Sequence, residues 1–163
     1  YDKFKVYDKH MTWILYNNHF PVGSTVAHSF DDYEKGSFRI MATTCILSKY
    51  STFNTNYGRM GYLAGFKKHF HPSARFFVPA CIDWCGINSN MYITTHPEKT
   101  GQMKKVHGLI MKLWEGMKLV TKVDEIDYRN SKQTVWRFDA KEFLKQLDKY
   151  PLEHDFLKNE VRT

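Results

Sequence analysis

The stretch FKVYDKHMTWILYNN, residues 4–18, constrains the fold of this chain more than any other. Phe4 and Val6 share one phase of a two-residue alternation, while Met11, Trp13 and Leu15 share the other. A period of two belongs to a strand, whose successive side chains point to opposite faces; a helix would repeat every three to four residues. The change of phase predicts a long strand with a bulge near Asp8 and Lys9, because one extra residue swaps the faces. A strand with one apolar face needs further strands, and the aromatic content of 16% supplies residues suited to half-buried pleated surfaces. With 163 residues, 42% of them hydrophobic, the chain is long enough for one sizeable core. A mainly β domain is predicted.

The segment PVGSTVAHSFDDYEKGS reads as a polar connector, with Pro21, Gly23 and Gly36 as breakers, and FRIMATTCIL follows as a strand rich in β-branched residues. Glycines 58, 61 and 65 interrupt the next stretch, and Pro72 cannot donate a ladder hydrogen bond, so an edge or terminating strand is expected around Lys67 to His71. MYITT, VHGLIMKLWEG and LVTKVDEIDYRN are three more candidate strands. The end differs in character. Asp139 stands three residues before Glu142, the spacing of a capping box, and Phe143, Leu144, Leu147 and Tyr150 recur at helical intervals up to Pro151. The expected division is a β domain over 1–138 and a helical extension over 139–163, whose apolar stripe has to bury against its own sheet or a neighbouring chain.

Lys and Arg number 24 against 17 Asp and Glu, a formal charge of +7. That balance suits a polyanionic partner. No apolar run approaches the roughly 20 residues needed to span a bilayer, and the opening YDKFKVYDKH has no apolar core of the secretory kind, so a soluble, unsecreted chain is expected. Three cysteines, Cys45, Cys81 and Cys85, are an odd number and argue for buried thiols rather than a disulfide framework.

His69-Phe70-His71 sets two imidazoles on one side of a strand, able to ligate a divalent cation as in rolling-circle nucleases of the His-hydrophobe-His type. Tyr128 and Lys132 are four apart, one residue out of the register that such a nuclease uses. His69, His71, Cys81 and Cys85 are a possible zinc set of permissible spacing. Phosphate-cradling, nucleophile-elbow and HExxH motifs are absent. Arg59, Lys67, Lys68 and Arg75 lie among Tyr57, Tyr62, Phe66, Phe70 and Phe76, a mixture that neutralises phosphates and offers rings for base stacking, or equally fills a core and solvates its edge.

In order, YDKFKVYDKHMTWIL, FRIMATTCIL, KYSTFNTNYGR, FKKHFHP, VHGLIMKLWEG and LVTKVDEIDYRN resemble the landmarks of capsid proteins of circoviruses and related small circular single-stranded DNA viruses, over roughly residues 1 to 130. The resemblance implies an antiparallel jelly-roll sandwich that self-assembles, many copies to an icosahedral shell, around a single-stranded nucleic acid genome. It implies location in the virion, and in the host nucleus or cytoplasm during assembly, with no membrane partner, cofactor, metal or catalytic residue. On that reading Arg59, Lys67, Lys68 and Arg75 contact the genome. The capped stripe of Phe143, Leu144 and Leu147, with Phe156 beyond Pro151, is expected to clamp a neighbouring copy, because a helix of about 12 residues is marginal alone and a jelly roll covers its own inner faces. A His-hydrophobe-His endonuclease and a cellular nucleic-acid-binding module are the alternatives.

Overall fold

The computed structural model describes residues 9–17, 19–46, 72–96 and 111–149. The bulge expected at Asp8 and Lys9, the edge strand expected at 67–71 and everything after 149 therefore lie wholly or partly outside the described residues.

The domain is mainly β. Strands β1 (His10–Asn17), β2 (Phe20–Ser29), β3 (Phe38–Ile46), β4 (Met91–Thr95), β5 (Val120–Tyr128) and β6 (Ser131–Phe138) form one six-stranded sheet in the order β1-β2-β3-β4-β6-β5. Every neighbouring pair is antiparallel except β3 and β4, which run parallel. Parallel neighbours need a crossover, and helix α1 (Pro72–Cys85) lies in it. Helix α2 (Ala140–Lys149) follows β6, and residues 111–116 are also helical.

Several expectations are corrected. The supposed polar connector contains β2, which pairs with both β1 and β3. Its small and polar residues hide its position: Thr25, Ala27 and His28 are all buried. VHGLIMKLWEG is not a strand where it is described, since 111–116 are helical, and Pro72 opens a helix, as the fixed φ of proline suits a first turn. Among the described residues there is one sheet faced by helices, not two sheets face to face.

Alternation places the core. On β4, Met91 and Ile93 enter a large cluster, while Tyr92 between them enters a small one on the opposite face. The large cluster unites Ala27, Ile40 and Phe138 of the sheet with Val78, Cys81 and Ile82 of α1, Trp114, and Phe143 of α2. The three described helical segments thus pack on one face. The other face carries Phe30, Tyr92 and Val135, ringed by Tyr33, Val123, Ile126 and Tyr128. Asp139 caps α2 as expected, its Oδ1 accepting the Glu142 amide at 2.9 Å.

Candidate functional site: the cleft between β3 and β4

The parallel pair is short. Only Phe38 with Met91 and Arg39 with Tyr92 are in register, although β3 continues to Ile46 and β4 to Thr95. Past that point β3 remains paired with β2 as far as Ile46 opposite Gly23, and β4 with β6 as far as Thr95 opposite Thr134. The sheet therefore parts into a β1-β2-β3 half and a β4-β6-β5 half, and no described strand lies between them.

The cause is written in β3. Its register against β2 slips twice, between the Ser24 and Val26 pairs and between the Val26 and His28 pairs, so β3 carries extra residues directly after Arg39. Met41 and Thr43 both have a φ of 54°, the left-handed region. For a β-branched residue such as Thr43 that conformation is rare, and each such residue costs about 1–3 kcal/mol. Bulges bend the strand that holds them, and here the bending begins where pairing with β4 stops. Side chains hold the distorted segment: Thr44 Oγ1 donates to the Met41 carbonyl at 2.9 Å and shares a 2.8 Å hydrogen bond with Thr25 Oγ1.

On the face opposite the described helices a polar group spans the opening. Arg39 Nε donates to Thr94 Oγ1 at 2.7 Å, Arg39 Nη1 donates to His28 Nε2 at 3.2 Å, and the guanidinium sits 5.3 Å from the Tyr128 ring centroid. His28 Nδ1 in turn donates to the Ser29 carbonyl at 2.7 Å, the arrangement required when one partner can only accept and the other only donate. Beside it, Tyr92 and Asn90 both donate to Glu34 Oε2 at 3.0 Å, and Tyr33 donates to Asp124 Oδ2 at 3.2 Å. Burial first, then the neighbouring carboxylates, push the Tyr33 and Tyr92 hydroxyls above the ordinary tyrosine range, with Arg137 opposing at Tyr92.

Of the residues singled out from sequence, Tyr128 alone lies in this group among the described residues. Arg59, Lys67, Lys68, His69, His71 and Phe156 lie outside the described residues. Arg75 is half-buried in α1, and burial lowers its pKa. Phe143 is 0% exposed and packs against Trp114 and Phe138 of its own chain, so it has no surface for a second copy. Leu144 and Leu147 are half-buried against the same core. Tyr128 and Lys132 flank a hairpin rather than riding on a helix. Cys81 and Cys85 are buried in α1, and burial pushes their thiols up to about 11 and about 12. Among the described residues no group of three or more His, Cys, Asp or Glu could hold a metal ion, and no helix is long and apolar enough to cross a membrane. Arg39, His28 and Thr94 carried no sequence signal, since only the strand register brings them together.

No family model matches the chain, and no curated protein or solved structure matches it either.

Proposed function

We propose that the cleft between β3 and β4 binds an extended, amide-bearing arm of a phosphorylated carrier, of the coenzyme A type, and that the domain presents the acyl group on such a carrier for transfer. The observation that carries this reading is the parting of the parallel pair after Arg39 and Tyr92. Two strand edges that face each other without pairing among the described residues offer main-chain donors and acceptors to a thin chain lying between them, as a peptide does when it adds a strand to a sheet edge. Ligands of open α/β sheets also lie beyond the carboxyl ends of parallel strands. The connector adds a second element of support from sequence: residues 47–71, between β3 and α1, carry Gly58, Gly61 and Gly65 with Arg59, Lys67 and Lys68. Glycines and cations entering a helix after a strand suit phosphate groups. An amide arm for the cleft and phosphates for the connector together describe one ligand class.

The capsid reading draws on motif order, and its second sheet would have to come from residues outside the described set. Genome binding uses the same cations, so one experiment separates the readings. Calorimetric titration of the purified chain with coenzyme A should give saturable binding, and reversing Lys67 and Lys68 to glutamate should weaken it about tenfold, with a flatter salt dependence. Binding of a single-stranded oligonucleotide without coenzyme A binding would favour the nucleic-acid module, and a fast-sedimenting particle would favour the shell.

A further inference from the structure

We infer that Arg39 and Thr94 form a pin that sets the width of the β3–β4 cleft, which makes them positioning residues for the chain lying in it. The inference rests on the reading of that cleft as the seat of an amide-bearing arm. Arg39 is the last residue of β3 in register with β4, its partner being Tyr92. Its side chain does not stay over that partner but reaches two residues further along β4, to Thr94 Oγ1 at 2.7 Å. The side chain therefore bridges the two strands beyond the point where their register ends.

The pin is anchored on every side. Nη1 is held by His28 Nε2 at 3.2 Å; His28 stands opposite Arg39 on β2, is 2% exposed and is itself tied to the Ser29 carbonyl. The guanidinium lies over Tyr128 of β5, whose ring is fixed edge-on against Phe30 at 5.6 Å. One half-buried side chain of β3 thus touches β2, β4 and β5. On the opposite face Phe38, the neighbour of Arg39, packs edge-on against Trp84 of α1 at 5.4 Å, and Trp84 against Trp13 of β1 at 6.1 Å. The apex of the cleft is clamped from both faces, and the bulges of β3 begin immediately beyond it. A cleft held open at a fixed width does not have to be ordered when its ligand enters, so the pin works through preorganisation. The planar fork of arginine is needed for this geometry, since lysine offers a point charge that cannot reach Thr94 and His28 along fixed directions.

The test uses Arg39→Lys and Thr94→Val, which keep charge and shape respectively. Each is titrated with coenzyme A and with adenosine 3′,5′-bisphosphate, a nucleotide fragment without the amide arm. Both variants should weaken coenzyme A about tenfold and leave the fragment unchanged, and the double variant should be no worse than either single one, because the two residues act as a unit. Equal weakening of both ligands, or unchanged coenzyme A binding, would overturn the pin. Hydrogen exchange of the ligand-free proteins decides independently of the ligand: Thr94→Val should speed exchange at residues 41–46 and 92–95, and unchanged rates there would overturn the pin even if the wild type binds no coenzyme A. That last result in the wild type would count against the cleft reading itself.

Discussion

Lys118 shows how a single residue joins the helical face to the sheet. It has a φ of 61°, and two hydrogen bonds close around it, from the Leu119 amide to the Trp114 carbonyl at 2.8 Å and from the Lys118 amide to the Glu115 carbonyl at 2.9 Å. These are the two bonds of a Schellman ending, with the left-handed position held by a lysine although Gly116 lies two residues earlier. Lys118→Gly should therefore raise stability by about 0.5–1 kcal/mol, measured as a shift in the urea midpoint at constant slope. Cysteines 81 and 85 give a pH prediction. An unfolded thiol ionises near 9, while these ionise at about 11 and about 12 in the fold, so the folded state binds more protons between those values. Their contribution to stability is complete below pH 9 and is lost as pH rises from there through 11 to 12. Urea midpoints at pH 8 and pH 10.5 should show a fall that shrinks in the Cys81→Ala, Cys85→Ala double variant; an equal fall in both proteins would assign the alkaline loss to other groups.

At the scale of elements, α2 carries the clearest energetic claim. Its capped start places Phe143 between Trp114 and Phe138, with ring centroids 5.9 and 5.5 Å apart. Phe143→Ala should cost about 3–5 kcal/mol as a cavity-forming substitution, and Asp139→Ala about 1 kcal/mol through the lost cap, both readable by chemical denaturation. A near-zero effect of Phe143→Ala would show that the helix docks elsewhere. This helix was legible because its cap and its 3.6-residue stripe are both present in the sequence, as were β3, β4 and β5 through their β-branched residues. β2 was not legible, since Gly23, Ser24, Thr25 and Ser29 imitate a loop while the two strands beside β2 make it a central strand. Helix α1 was missed for a different reason: RFFVPACIDWC is apolar on several sides and holds Pro79, so neither a stripe nor an unbroken run marks it. The apolar run around 111–116 fits a strand as well as a helix until its ending at Lys118 is seen.

At the scale of the molecule, the described residues form a sheet that parts along one line, with helices packed on one face and a polar cluster with an aromatic rim on the other. That line was hidden from sequence because it depends on where two strands stop pairing, and Arg39, Met41, Thr43 and Thr94 matter only through that register. The residues that stood out in the sequence, the histidine pair and the lysines of 66–71, fall in the connector between β3 and α1, so the sequence signal and the strand geometry meet in one crossover. The central claim is that the gap between β3 and β4 is a seat for an amide-bearing arm. Amide chemical-shift mapping of the isotope-labelled chain during titration with coenzyme A tests it most directly. The predicted result is saturable shifts concentrated at residues 40–46 and 92–95, with the β5–β6 turn at Arg129 and Asn130 unmoved; saturable shifts that spare 40–46 and 92–95, or no shifts at all, would contradict the account.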